Sequence, residues 1–317
     1  MTKLGLIISG SIAIDRIMTF SGKYRDLIQP DKLHTFSISM LLRKIELSRG
    51  GTGANIAYNL ARLGEQPILL GSVGKDGQEY IDDLKKEGVD TGHVHVSHHL
   101  QTASFNVIND SEDNQVGGFY PGAMADSQML NLDEWKGKNV LVTVSAHDPI
   151  GMSKQVYQCQ EYGLKLFYDV SQQVSNVSKE NLVAGINAAE IIIVNDYEMS
   201  LLSKRSGLSP AAIKNKVPIL IVTHGGSGSI IDGKSIKQPI KVGVAKPTEV
   251  QDPTGAGDAY RAGFLYGYAR GWDLKICGQL GATVASFIVQ EYGSQLKYFQ
   301  KQVKERYKQN FGEEIDV

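Results

Sequence analysis

The segment with the clearest chemical potential is Asp252-Pro253-Thr254-Gly255-Ala256-Gly257-Asp258-Ala259-Tyr260-Arg261-Ala262-Gly263. Pro253 and the glycines sit poorly inside regular structure, and a helical pattern, Ala259 to Ala269, follows them. Gly255, Ala256 and Gly257 therefore stand at the start of a helix. Their backbone N–H groups lack intrahelical partners and bulky neighbours, so they form an anion site at the positive end of the helix dipole. Asp258 falls in the first turn, where its carboxylate faces whatever that site holds. Donors for developing charge beside a base for an acceptor hydroxyl suit phosphoryl transfer. An acid at a helix start is also a common arrangement with no chemistry attached, so this segment alone leaves both readings open.

Other segments offer matching parts. In Gly50-Gly51-Thr52-Gly53-Ala54-Asn55-Ile56-Ala57 the glycines let a substrate approach the backbone closely, and Asn55 opens a helix where its amide can reach a hydroxyl. Asp15 ends the first strand, a position where an isolated Asp is ordinarily a turn residue. Asn195-Asp196-Tyr197-Glu198 follows a strand, and its hard oxygens, Glu198 above all, suit Mg²⁺ held through water. Thr223-His224-Gly225-Gly226-Ser227-Gly228 closes another strand.

Two patterns are decoys. Gly228 to Ser235 fits the P-loop spacing, but Ile236, Pro239 and Ile240 follow in β-like alternation where a P-loop opens a helix. Asp232-Gly233 reads there as a type I′ turn between two short strands. His93, His95, His98 and His99 lack clustered acidic or cysteine partners in the sequence and read as a solvated strand end.

The positioning elements are short apolar runs alternating with helical patterns. Strands are expected at Leu4–Ile14, Pro67–Gly71, Val140–Val144, Leu164–Tyr168, Ile191–Val194 and Ile219–Thr223, and helices at Gly53–Leu63 and Gln78–Glu87. Apolar strands without alternation suit a parallel sheet buried on both faces, and strand–helix repetition suits a doubly wound α/β domain. Residues 16–48 and 99–121 break the rhythm. Strand-like stretches Ile17–Phe20, Thr35–Ile38, Thr102–Ile108 and Gln115–Tyr120, with no convincing helix, point to a small β-sheet that is either a lid over a substrate or an edge extension. Asn109–Asn114 is its hairpin loop. The large domain then takes 1–15, 49–98 and 122–317. Lys297 to Lys308 reads as a charged surface helix.

Composition narrows the rest. With 317 residues, 42% of them hydrophobic, the chain can bury a large core. A net charge of -1 carries no nucleic-acid footprint. The apolar run after Lys3 is too short for a signal peptide or a membrane span, and Cys159 and Cys277 read as reduced thiols, so the expected setting is cytoplasmic.

The Asp252–Gly263 segment resembles the C-terminal signature of the PfkB, or ribokinase-like, kinases, departing only where Tyr260 stands for the usual Phe. Gly50–Ala57, with Gly64 and Gly74 beyond it, resembles the family's second signature, and the Asn195–Glu198 and Thr223–Gly228 segments agree in order. The resemblance implies a doubly wound, mostly parallel sheet flanked by helices, with a small β lid. It implies Asp258 as catalytic base; Gly255, Ala256 and Gly257 as anion hole; Ser11, Asp15, Gly50, Gly51 and Asn55 on the acceptor; and Asn195, Glu198, Thr223, Gly225 and Gly228 around ATP with Mg²⁺. Some members need K⁺ near the equivalent of Asp252.

Within the family the similarity is greatest to bacterial adenosine kinases, over nearly the whole chain. It is carried by Gly10–Asp15, the insertion Gly22–Ser48, Asp113-Asn114-Gln115, Phe119–Met124 and Asp258–Gly263. It implies adenosine plus ATP giving AMP plus ADP, with Phe36, Phe105, Phe119 and Met124 available for a purine slot, though each taken singly reads as lid core. The alternatives are a pentose or hexose kinase on the same scaffold, and a catalytically silent sugar- or nucleotide-binding regulator. Expected partners are small molecules, with no nucleic acid or membrane, on a monomer or homodimer.

Overall fold

Strand β1 (Gly5–Ser9) runs into the molecule, and the chain then turns out of it at Gly10–Ile12 to start β2 (Ala13–Phe20) in a different sheet. The single strand expected over Leu4–Ile14 is thus two. The break has a packing cause. The start of a helix presses on Gly10, where an added Cβ would lie 2.7 Å from the Gly53 Cα. Beyond it, the Ser11 N–H donates to the Ala146 carbonyl and the Ser11 carbonyl accepts from Ala54. The computed structural model describes residues 3–28, 30–31, 37–112 and 114–317.

After β2 come a one-turn helix α1 (Tyr24–Leu27), strand β3 (Leu42–Gly50), helix α2 (Thr52–Arg62), β4 (Ile68–Gly74), α3 (Gln78–Lys86) and β5 (Val94–Ser97). Then follow the hairpin β6 (Ala103–Asn109) and β7 (Gln115–Tyr120), β8 (Val140–Val144), α4 (Pro149–Tyr162), β9 (Lys165–Tyr168) and α5 (Lys179–Ala188). Strand β10 (Ile191–Asn195), α6 (Asp196–Ser206), α7 (Pro210–Lys216), β11 (Ile219–Thr223), β12 (Ser229–Asp232) and β13 (Ile240–Val242) precede the C-terminal helices α8 (Ala256–Ala269), α9 (Leu274–Ile288) and α10 (Gln300–Phe311). Local signals set several helix ends. Asp148 and Ser209 cap α4 and α7, each followed by Pro, and Gly163 and Gly207 close α4 and α6 in the left-handed region.

Nine strands form one sheet in the order β13-β12-β11-β10-β9-β8-β1-β4-β5, parallel except for β12 and β13 at one edge. Helices cover both faces, so the apolar runs divide residue by residue. Leu6, Ile8, Ile191 and Ile193 join the core under α2, α3, α8, α9 and α10, while Ile7, Ile192 and Val194 join the core under α4 to α7. The second sheet, β3-β2-β6-β7, stands apart from the first.

Four further sequence expectations change. Of the strand expected at Thr35–Ile38, Thr35 and Phe36 lie outside the described residues and Ser37 and Ile38 are not strand; the lid strand is β3, further on. The lid region also holds α1, pinned where the Tyr24 N–H donates to Asp110 (3.0 Å). Beyond Asp232, β12 and β13 pair antiparallel, but residues 233–239 connect them, so the link is a longer loop than a type I′ turn; only Gly233 of its first two positions has positive φ. Lastly, α10 is amphipathic, with Val303 and Tyr307 one turn apart in the core and the Tyr307 hydroxyl donating to Gln279 (2.8 Å).

Gly10 should tolerate no side chain. Gly10→Ala is expected to destabilise the fold by about 1–3 kcal/mol, as overpacking against backbone does. The reading would be a lower urea midpoint at unchanged slope; an unmoved midpoint would show that the crossing can relax.

Candidate active site

The motif segments converge where the parallel strands end, the usual place for a ligand in such a sheet. They line a cavity of about 560 Å³. Ser11, Asp15, Gly51, Thr52 and Asn55 come from the first half of the chain, and Thr254, Gly255 and Asp258 from the last.

Gly255 caps α8 with φ 80°, and an added Cβ would collide with Ser294. The Ala256 N–H donates to the Pro253 carbonyl (3.2 Å), so the amides of Gly255 and Gly257 are the better candidates for an anion. Asp258 accepts from the Asn55 side-chain amide (Nδ2 to Oδ2, 2.8 Å). The Asn55 oxygen in turn accepts from Ser294 Oγ (3.0 Å) and Gln295 Nε2 (3.1 Å). Asn55 lies in the first turn of α2 and lines the cavity, yet its amide is aimed at Asp258. Burial pushes the Asp258 carboxyl up to about 6, against the Arg261 charge and the Asn55 hydrogen bond, which favour the anion.

The glycine pair is explained by its neighbours. An added Cβ on Gly50 would lie 2.6 Å from Asp15 Oδ2, and Gly51, at φ 94°, has the backbone of Ser11, Ile12 and Ala13 against it. Burial also raises the Asp15 pKa.

One pleat face of the lid looks into the cavity. Asp15 is in register with Phe105, and Phe105 with Phe119, across β2, β6 and β7. Both rings line the cavity and are accessible, Phe105 at 39% and Phe119 at 52%, so they are a receptive surface and not lid core, unlike Val107 at 4%. Met124 lines the cavity too, but is buried against Ala13 and Ala103. Phe36 lies outside the described residues.

The remaining motif residues sit beside this cavity, not in it. Asn195 and Thr223 are register partners at the ends of β10 and β11. Asn195 and Glu198 form a reciprocal capping box, the Glu198 N–H donating to Asn195 Oδ1 (2.8 Å) and the Asn195 N–H to Glu198 Oε2 (2.9 Å). Glu198 is buried and its pKa is raised, burial being the leading cause. Gly225 and Gly228, both at positive φ, shape the loop after β11, where His224 pairs with Asp196 of α6. Among the described residues no group of three or more His, Cys, Asp or Glu could hold a metal by itself; His93 and His95 meet only Glu134 (3.9 Å) and Asp126 (3.6 Å).

Sequence reasoning missed Gln172, Gln173 and Asn176, which line the cavity after β9, and Ser294, which lines it from the segment before α10. The first three follow the C-terminal end of a parallel strand, a positional signal present in the sequence. Ser294 carries no comparable signal.

The chain belongs to the PfkB family of carbohydrate kinases, whose model matches residues 14–301. It is 30% identical over 276 residues to a nucleoside kinase of Methanothermobacter thermautotrophicus, covering 85% of this chain and 87% of that protein. It is 33% identical over 249 residues to a nucleoside kinase of Methanocaldococcus jannaschii, covering 78% and 80%. Among solved structures, the Burkholderia thailandensis nucleoside kinase in complex with inosine matches with a TM-score of 0.85 at 30% identity, over 98% of this chain and 99% of that one. The fold is therefore ribokinase-like, and the protein is a phosphotransferase acting on a hydroxyl acceptor. A fold neighbour, the ribokinase of Arabidopsis thaliana, is complexed with ribose and ATP. No described helix is long and apolar enough to cross a membrane.

The raised Asp258 pKa has a stability consequence independent of catalysis. The native state holds this proton more tightly than the unfolded chain, so the associated stability is present below the ordinary carboxyl value of 3.8 and lost as pH rises through about 6. Asp258→Asn is expected to unfold at a higher temperature than wild type at pH 8, with the advantage gone near pH 4. Equal advantages at the two pH values would contradict the burial argument.

Proposed function

We propose that the protein is a nucleoside kinase that transfers the γ-phosphoryl group of ATP to the 5′-hydroxyl of adenosine, with Asp258 as general base. The observation that carries this reading is the shared wall of Asp15, Phe105 and Phe119, set in one cavity with Asp258. Asp15 suits sugar hydroxyls, the rings suit the face of a base, and Asp258 suits the hydroxyl to be phosphorylated. Two accessible aromatic rings offer more apolar area than a lone sugar ring would cover and suit a planar base better. The similarity to nucleoside kinases, one of them with inosine bound, supports the same choice. Gln172, Gln173 and Asn176 each offer donors and acceptors to the edge of a base.

With its pKa near 6, Asp258 is largely ionised at neutral pH and basic enough to take the hydroxyl proton as the phosphoryl group arrives. The amides of Gly255 and Gly257, at the start of α8, are placed to meet the transferring charge. Substrate held between lid and sheet keeps out water that would otherwise accept the phosphate. Mg²⁺ bound with ATP would neutralise phosphate charge. Glu198 suits it through water, since Oε1 makes only a long contact with Ser171 (3.4 Å) while Oε2 serves the helix cap. Asp252 turns its oxygens to the amides of Thr254 (2.9 Å) and Gly293 (3.5 Å), and K⁺ has no part in the proposed mechanism.

Coupled ADP release with MgATP should show turnover with adenosine above inosine, other nucleosides, ribose and fructose phosphates. Turnover with a sugar alone would overturn the nucleoside reading. Asp258→Asn should lower kcat by about 10²–10⁴-fold while nucleotide binding persists; near-normal turnover would sink the base assignment. Phe119→Ala should raise KM for the nucleoside by about 5- to 150-fold and spare that for ATP, since an aromatic face under a base is worth about 1–3 kcal/mol.

A further inference from the structure

One turn beyond Asp258 on α8, Arg261 is 7% exposed, unusual for a side chain that is always charged. Its Nη2 donates to Asp169 Oδ1 (2.6 Å), just past the end of β9, and Asp169 Oδ2 accepts from Ser145 Oγ (2.6 Å). Asp169 is fully buried. The guanidinium also lies against the anion hole, because an added Cβ on Gly257 would come within 2.7 Å of Arg261 Nη1. Its Nε is buried with no hydrogen-bond partner among the described residues.

A buried ion pair is weak evidence for stability, since well-packed apolar residues often do as well. A cation left with an unsatisfied N–H is weaker evidence still. The surroundings suggest another use. Three carboxylates, Asp258, Asp169 and Glu198, interact electrostatically with this one guanidinium. The charged groups around Asp258 are Arg261 from its own helix, Asp169 from the end of β9, Glu198 from α6 and, in the same cavity, Asp15 from β2. Tyr80 of α3 also feels Asp258, but burial holds its phenol protonated. Arg261 is therefore the cation of the group.

We propose that Arg261 is a positioning residue for phosphoryl transfer: gripped by Asp169 and packed against Gly257, it fixes the first turn of α8 and places a permanent positive charge behind both the base and the anion-hole amides. The role rests on the assignment of Asp258 as base. It also gives Gly257 a second reason to be glycine, since any side chain there would displace the guanidinium.

The test compares wild type, Arg261→Met and Arg261→Lys in kcat and KM for adenosine and ATP from about pH 5 to pH 9, where a carboxylate base with raised pKa leaves an acid limb. In Arg261→Met the limb should move up by about one pH unit or more, because the carboxylate loses its nearby cation. Arg261→Lys should return the limb towards wild type while kcat stays about tenfold down, because an ammonium cannot reproduce the fork. A purely structural role would lower the unfolding temperature and scale the rate equally at every pH; a limb that stays put in Arg261→Met overturns the proposal. Should Arg261→Met fail to fold, Arg261→Lys decides alone, and a kcat within about twofold of wild type refutes the role. Failure of the base assignment looks different: the wild-type profile then lacks the limb or Asp258→Asn keeps its turnover, and both readings fall together.

Discussion

The site depends on burying one carboxylate between two helix starts. An ionised Asp258 taken out of water is costly unless hydrogen bonds and opposite charge compensate. The compensation comes from Asn55, 203 residues away in the chain, and from Arg261 one turn along. Compensation is incomplete, which is why the carboxyl stays near 6 and not near its ordinary 3.8. Asn55 is itself oriented. Its oxygen takes hydrogens from Ser294 and Gln295, so only its amide nitrogen is left to face Asp258. Asp258, the glycine loop before α2 and the Ser294 segment are thereby one connected unit.

Close backbone approach makes that unit geometrically possible. The α2 start meets the end of β1 at Gly10 and Gly53, where an added Cβ on either glycine would strike the other's backbone at 2.7 Å. The same approach turns the chain out of the large sheet, so that β2 begins at Ala13 and carries Asp15 into the lid. Gly50, paired with Ala13 across the small sheet, leaves the room that the Asp15 carboxylate occupies. The places of Asp15 and of the α2 start thus follow from one crossing. The aromatic wall follows from register, since a one-residue slip between β2 and β6 would turn Phe105 to the other face.

Much of this was legible in the sequence because it rests on local rules. Apolar runs bounded by turns gave Val140–Val144 and Ile219–Thr223 with both ends as observed. The glycine-flanked helix starts pointed to Asn55 and Asp258. Less visible was whatever depended on chain crossing. An apolar stretch from Leu4 to Ile14 shows no break, because the bend at Gly10 answers to a helix more than forty residues on. Lid strand β3 was missed because Arg43, Lys44, Glu46 and Arg49 give it a charged, exposed character. Arg261 lay inside a quoted signature, yet nothing in the sequence pairs it with Asp169, 92 residues earlier.

The Asn195–Glu198 segment shows how a signature can serve shape before chemistry. Oxygens that suited Mg²⁺ in the sequence are partly committed in the structure, Asn195 Oδ1 and Glu198 Oε2 each capping the other's backbone amide. The capping box fixes where α6 starts and turns Glu198 inward, beside Ser171 and within the field of Arg261 and Asp169. Ser171 shares in this. Among the described residues it is the one non-glycine held at positive φ, 45°, a conformation that persists only where its surroundings enforce it. Helix cap, positive-φ turn and buried cation together surround the Glu198 carboxylate. Spacing alone specifies the cap; the setting of the carboxylate requires the turn after β9 and the helix that carries Asp258 and Arg261.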